Sequence, residues 1–586
     1  MMYEETSKEK EYSLTKRIIG AGFISLLYAP VYLLFTLYYN FPLWGIILYS
    51  LLPALVVLCL VSISSGIEVV GHVNAVYLSF TYAVMVAKLH WSIPVLVFIG
   101  VMGFHVLAWS KYFEDKTFIF KKKIVTHGSA EFASSINNHR SEKGKQFLLG
   151  RFVYENGEKE KFYQSGHMLT CAPSGAGKGI GVVVPNLLEY EGSIFCVDIK
   201  GENYCVTADY RRSIGQKTIL LDPFNVVPSG DYFSDTGKDS YNVIDWLKSF
   251  PEDITSDSQM IAESLIVSTG GESDFWNDSA KDMLRGIIAY TTTLENGSLG
   301  EVRRILTLSK DAFEDAMATM QTCGVTVCER CANTILSMDE KTRAGVLSTA
   351  QQQTAFLDED RITTCLSYSS FDLSAFKNGS ISFYLVMPPE RLANNFRLIR
   401  LFISLLITSV TRIKEKPENP ALFLFDEFAQ LGRMTILEDS LSLIRGYGAS
   451  YWFIIQDLSQ LKAVYQKWQT FLANTTKQFF STADYDTAKY ISDMLGQTTE
   501  GFITHSSNSS SSVSGSGSAK SQSYSSGSSS SENRMARNLL NPDEVMRLPS
   551  DDVLVFTRGE DAYKLKRVNY LTDEDFSGLF KDNPMH

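Results

Sequence analysis

Between Ile18 and Trp109 the chain carries only two charged side chains, Glu68 and Lys88. A water-facing domain cannot be built from 92 such residues, because its surface needs charge, so this region is expected in a bilayer. Four apolar stretches fit within it, at 17–39, 43–63, 69–88 and 91–109, each near the roughly 20 residues that cross the hydrocarbon layer as a helix. Asn40-Phe41-Pro42 and Leu89-His90 make short links, and Trp44, Trp91 and Trp109 sit near the expected ends, where the headgroup region suits an amphipathic ring. Lys8, Lys10, Lys16 and Arg17 precede the first stretch, and Lys111, Lys116 and Lys121 to Lys123 follow the last. An even number of crossings then leaves both termini, including a short tail over 1–16, on the cytoplasmic side. A cleaved signal peptide does not fit, since the first apolar run is too long and another follows at once.

Past residue 112 the composition turns ordinary, and 586 residues exceed what one core usually holds. A net charge of −11 argues against a chain that coats nucleic acid along its whole surface, though not against a basic pore made by a few residues per subunit. Eight scattered cysteines suit a reducing compartment. Short runs at His167–Cys171, Ser193–Asp198, Thr218–Leu221, Ser382–Met387, Ala421–Asp426, Tyr451–Gln456 and Lys477–Ser481 are mostly apolar at nearly every position. That pattern predicts strands buried on both faces of a largely parallel sheet. Helical periodicity over Asn395–Arg412 and Thr435–Arg445 completes an α/β doubly wound domain, assigned to 113–225 and 376–586. Over 226–375 strand signals thin out, and Ser279–Thr292 and Glu301–Met320 read as helices of an inserted all-helical domain. Of the 26 residues from Ser506 to Ser531, 17 are serine, so 505–532 is expected to be a flexible loop with nothing to bury.

The strongest chemical signal is Ala172-Pro173-Ser174-Gly175-Ala176-Gly177-Lys178-Gly179, set between a strand and a helical run. Small residues from Ser174 to Gly179 let backbone N–H groups curl around a phosphate, and Lys178 would reach the β- and γ-phosphates. Ala172 replaces the usual first glycine, and Gly179 replaces the hydroxyl that normally ligates Mg²⁺. Downstream, the strand Ala421–Phe425 ends in two acids, Asp426 and Glu427. The first is assigned to Mg²⁺ and the second to general base for an attacking water. No guanine-selecting Asn-Lys-x-Asp is present, so ATP is the expected nucleotide. Gln456 ends a strand expected beside that of Asp426, where it could sense the γ-phosphate. Arg445, read by itself, is a surface arginine 19 residues past Asp426.

Taken in order, several phrases resemble the type IV secretion coupling protein family of TraG/TraD type. They are His127-Gly128-Ser129-Ala130, the phosphate loop with Val182-Val-Val-Pro185, Asp198-Ile-Lys200-Gly201-Glu202, Leu221-Asp222-Pro223-Phe224, Phe275-Trp276, Asp426-Glu427-Phe428-Ala429-Gln430-Leu431-Gly432, Gln456-Asp-Leu-Ser-Gln460-Leu461 and Leu540-Asn-Pro542-Asp543-Glu544-Val545. The resemblance covers nearly all of 120–570. It implies an inner-membrane ATPase with a RecA-like motor domain and an all-helical domain, assembled as a homo-hexamer around a channel. Its implied partners are type IV secretion channel components and either a relaxase–DNA complex or effector proteins and their adaptors. By position it makes Arg445 the arginine offered to a neighbour's ATP and Gln456 the motif glutamine, and it lets a loop with glycine at 179 still serve. Four apparent spans depart from the two usual in that family. Two other functions stay open at this stage: a substrate-receptor platform whose nucleotide is structural, and an FtsK-like DNA translocase. Cys323, Cys328 and Cys331 form C-x4-C-x2-C without an evident fourth ligand and are expected to be thiols. Asp198 and Lys200 either approach the nucleotide or pair at the sheet edge.

Overall fold

The structure, a computed structural model, describes residues 127–136, 142–228, 238–267, 274–514 and 521–584. Two units are distinguished, Met1–Ile124 and Val125–His586, and every described residue falls in the second. The tail over 1–16 and the spans expected over 17–112 lie outside the described residues.

Strands β1 (Phe147–Val153), β2 (Lys159–Gln164), β3 (His167–Cys171), β4 (Ile194–Asp198), β5 (Lys217–Leu221), β6 (Ile381–Val386), β7 (Ala421–Phe425), β8 (Ala449–Ile455) and β9 (Thr475–Phe479) are followed by β10 (Gln497–Ser514), β11 (Ser521–Asn538), β12 (Asp552–Phe556) and β13 (Tyr563–Lys566). Eleven of them form one sheet in the order β2-β1-β13-β12-β9-β3-β8-β7-β4-β6-β5. From β9 to β5 every neighbouring pair is parallel, and the other half is antiparallel.

Most of the parallel strands are largely apolar because each face has its own core, with β9, Thr-Thr-Lys-Gln-Phe, the exception. In β3, Leu169 and Cys171 point into one core and Met168 into the other; in β7, Phe423 and Phe425 oppose Leu422 and Leu424 in the same way. Each such side chain, when fully buried, favours the folded state by about 1.5–3 kcal/mol. The first core is closed by the helix Pro389–Arg412, through Leu398 and Phe402, and the second by Leu187 and Tyr204 from the helices Val184–Glu189 and Glu202–Ser213. Pro389–Arg412 is long and apolar enough to cross a membrane, the one such helix among the described residues, and most of it is buried inside the protein.

Between β5 and β6 the described residues contain helices and no strand, among them Ile254–Leu265, Asp274–Thr291, Leu299–Leu306, Lys310–Met320, Thr326–Ser337 and Glu340–Gln353. Ile287 and Val302 from this stretch share one continuous core with Phe195 of the sheet. The serine-rich stretch differs from the expected loop. It pairs with itself as the antiparallel hairpin β10–β11, in register from Gln497↔Asn538 to Ser514↔Ser521. A backbone ladder needs no apolar face, and serine hydroxyls bond across it, as between Ser506 and Ser529 at 2.7 Å and Ser510 and Ser525 at 2.8 Å.

Candidate active site

Strands β3, β8, β7 and β4 are neighbours and parallel, so their carboxyl ends open on one crevice, the place where parallel sheets receive ligands. The segments that leave those ends carry the phosphate loop, Gln456, the acid pair Asp426–Glu427, and Asp198.

The loop departs from β3 with the Ala172 N–H bonded to the Ile455 carbonyl of β8 at 3.0 Å. Gly175 and Gly177 take left-handed backbone, φ +76° and +81°, which turns the chain back on itself. Nothing lies within 4 Å of where a Cβ on Gly175 would sit, so the turn is open there. Helical backbone begins at Gly179, ahead of Pro185, as a wide turn in which the Val184 N–H reaches the Gly179 carbonyl. Pro185 then opens the helix Val184–Glu189, where its missing N–H costs nothing.

Lys178 folds over its own loop, its Nζ donating to the carbonyls of Ala172 at 3.1 Å and Pro173 at 3.2 Å. The same Nζ stands 3.9 Å from Glu427 Oε1. Glu427 holds a left-handed backbone, φ +58°, uncommon for a side-chain-bearing residue and a local strain of about 1–3 kcal/mol. Gln456 Nε2 donates to both of its carboxylate oxygens, at 3.2 and 3.0 Å. Asp426 Oδ1 is buried and has no hydrogen-bond partner among the described residues. Burial, with the Glu427 charge adding to it, pushes the Asp426 carboxyl up to about 6. An orphaned carboxylate oxygen beside an open glycine cradle suits a Mg²⁺–phosphate group. Asp198, on the adjoining strand end, is pushed up to about 7 by burial and accepts the N–H groups of Gly201 and Tyr204, each at 2.9 Å. It thereby fixes the start of the helix Glu202–Ser213, while Lys200 pairs with Glu202 at 3.8 Å.

Lys178, Asp426, Glu427 and Gln456 therefore meet at one crevice with Ser174 to Gly179. Arg445 does not join them within the chain. It is itself exposed, in the turn Ile444–Tyr447 that leads into β8, beside Gly166 and His167, at the opposite end of β3 from the phosphate loop. Cys323, Cys328 and Cys331 are free thiols; that of Cys328 is hydrogen-bonded with that of Cys323, and Cys331 Sγ donates to the Asp282 carbonyl at 3.2 Å. No cluster of three or more histidines, cysteines and acids able to hold a metal by protein ligands alone occurs among the described residues. One contact had no signal in the sequence. Arg567, the first residue after β13, donates from Nη1 to the Ala176 carbonyl of the loop.

Residues 111–583 match the family described as type IV secretory system conjugative DNA transfer. The chain belongs to this family. Among coupling-family relatives, it is 28% identical over 424 residues to protein VirD4 of Rhizobium radiobacter, covering 71% of this chain and 58% of that protein. It is 26% identical over 482 residues to the conjugal transfer protein TraG of Escherichia coli, covering 74% of this chain and 73% of TraG. The chain thus spans 58% of the length of the VirD4 it matches. In fold it is similar to the plasmid coupling protein TrwB, solved with the non-hydrolysable GTP analogue GDPNP, at 17% identity and a TM-score of 0.52, covering 73% of this chain and 97% of that one. TrwB solved with ADP and Mg²⁺ gives the same TM-score, 0.52, and covers 73% of this chain and 96% of its own. The coupling-family chain therefore has a RecA-like α/β fold.

Proposed function

We propose that the chain is the coupling ATPase of a type IV secretion or conjugation system. It takes a relaxase–DNA complex or protein substrates and drives them to the channel by ATP hydrolysis, as an inner-membrane homo-hexamer. The observation that carries the reading is Glu427, held by Gln456 and 3.9 Å from Lys178, at the mouth of a glycine cradle in a chain of the conjugative DNA transfer family. The nucleotide-bound TrwB structures of like fold agree with it.

The chemistry follows from the residues. Backbone N–H groups from Ser174 to Gly179 receive the phosphates, and Lys178 exchanges its two loop carbonyls for phosphate oxygens, keeping its hydrogen bonds filled. Glu427 takes a proton from a water as that water's oxygen attacks the γ-phosphorus. The β–γ bridging oxygen leaves with the electron pair, giving ADP and phosphate. Gln456 keeps the carboxylate aimed while its charge changes. Asp426 would hold Mg²⁺, which, when bound, neutralises phosphate charge. With glycine at 179, this site places more of that task on Asp426. The turn bearing Arg445 exposes Leu443 and Tyr447 as well, at 63% and 45%, and an apolar surface with a central cation suits contact with a neighbouring copy, where Arg445 would meet that copy's ATP.

ATP hydrolysis by the detergent-purified chain, with and without single- and double-stranded DNA, tests the reading beside Lys178→Ala and Glu427→Gln. DNA-stimulated turnover lost in both variants is the expected result. ATP binding with no turnover under any condition would instead favour a substrate-receptor platform, the reading to which Gly179 lends support.

A further inference from the structure

Arg567 reaches the phosphate loop from the far end of the chain. Its own N–H is fixed to the Asp551 carbonyl at 2.7 Å, directly after β13. From there the side chain reaches the loop, its guanidinium carbon 5.6 Å from the Phe480 ring centroid and its Nη1 bonded to the Ala176 carbonyl. Two glycines leave room for it. A Cβ on Gly177 would lie 2.7 Å from Nη1, and a Cβ on Gly181 would lie 2.6 and 2.7 Å from Arg567 Cδ and Cγ. Gly181 does not have left-handed backbone. Its lack of a side chain answers to space, not to chain direction. Further along the same segment, Tyr570 N–H bonds to the Ile180 carbonyl at 3.4 Å.

A phosphate loop binds anions because successive N–H groups converge inward, which obliges the intervening carbonyls to face outward. A guanidinium on the outer carbonyl of Ala176 favours that arrangement with a charge-assisted hydrogen bond and sets a permanent cation beside the loop. We infer that Arg567 is a positioning residue for nucleotide: it holds the loop in its phosphate-receiving form and thereby ties the C-terminal segment to ATP binding. The inference rests on the reading of this crevice as an ATP site.

The test uses the full chain in detergent, a fluorescent ATP analogue and steady-state hydrolysis. Arg567→Ala is expected to weaken ATP binding about tenfold and to raise KM far more than it lowers kcat. The melting temperature without nucleotide should stay near that of the unaltered protein, and Arg567→Lys should recover part of the affinity. Gly181→Ala, whose methyl displaces the arginine stem, should weaken binding in the same way, and in the Gly181→Ala/Arg567→Ala double variant the two losses should not multiply. ATP affinity within twofold of the unaltered protein in Arg567→Ala would overturn the inference, as would losses that simply multiply. If Arg567→Ala does not fold, Gly181→Ala decides by the same affinity limit. Lys178→Ala separates the two levels of the argument: full ATP binding in that variant defeats the ATP-site reading itself, whereas binding lost there and kept in Arg567→Ala defeats only the role of Arg567.

Discussion

Gln456, the first residue beyond β8, donates from one Nε2 to both carboxylate oxygens of Glu427, at 3.2 and 3.0 Å. A neutral amide in that place can steer the carboxylate without supplying charge, so its removal should be felt in turnover and not in binding. Gln456→Ala is expected to lower ATP turnover about ten- to hundredfold, with the affinity for a fluorescent ATP analogue nearly unchanged. Comparable losses in both would instead make Gln456 a ligand of the nucleotide.

Gly179 has open space where a side chain would stand, and it has no left-handed backbone to strain one. Gly179→Ser should therefore fold normally and restore a hydroxyl beside the phosphate site. A fall of severalfold in the Mg²⁺ concentration that half-saturates hydrolysis is expected. An unchanged Mg²⁺ requirement would mean that residue 179 does not face the ion.

His167 opens β3 with its Nδ1 accepting the Tyr451 N–H at 3.0 Å and its ring stacked on that of Tyr451. Burial, then the nearby Arg445 charge, pushes it down to about 4. Between pH 6.5 and that value the unfolded chain takes up a proton that the folded chain refuses. The stability from neutral His167 is thus complete above pH 6.5 and is lost as pH falls towards 4, about 2 kcal/mol of it by pH 5. Thermal melting from pH 7 to pH 5 should fall more steeply for the unaltered protein than for His167→Asn, whose amide oxygen can still accept from Tyr451. Parallel slopes would remove His167 from the pH response.

The hairpin β10–β11 exposes Phe502, Ile503 and Tyr524 at 46%, 62% and 76%, so it lends nothing to the core. Replacing 502–533 with an Asn-Gly turn between the paired residues Gly501 and Arg534 keeps the Arg537–Glu500 and Arg537–Glu544 ion pairs. The melting temperature should move by no more than about 2 °C, and ATP turnover should persist. A large drop in melting temperature would show that the hairpin props the domain.

Burial on both faces made the central sheet legible: β3, β4, β7 and β8 read as largely apolar runs, β3 lies at its expected bounds, and the others lie within two residues of theirs. The glycines of the phosphate loop and the acids after β7 were legible for a different reason, since their chemistry is local in sequence. The antiparallel half was not anticipated. β2 reads Lys-Glu-Lys-Phe-Tyr-Gln, with its first two residues exposed, and gives no apolar run to find. The serine stretch lacks apolar surface and so reads as a loop, but that lack says nothing against a ladder held by main-chain bonds. The Arg567–Ala176 contact spans 391 residues, and no spacing rule relates positions so far apart.

That span also has a consequence in time. The phosphate loop leaves the ribosome long before β8 and β9, the two strands that flank β3, and Arg567 comes later still. At about 5–20 residues per second, some 20–80 s pass between the synthesis of Ala176 and that of Arg567. Throughout that interval the nascent chain carries the loop without the guanidinium on its outer carbonyl. A chain stalled anywhere from residue 180 to residue 566 would keep every residue of the loop and lack the one that clamps it.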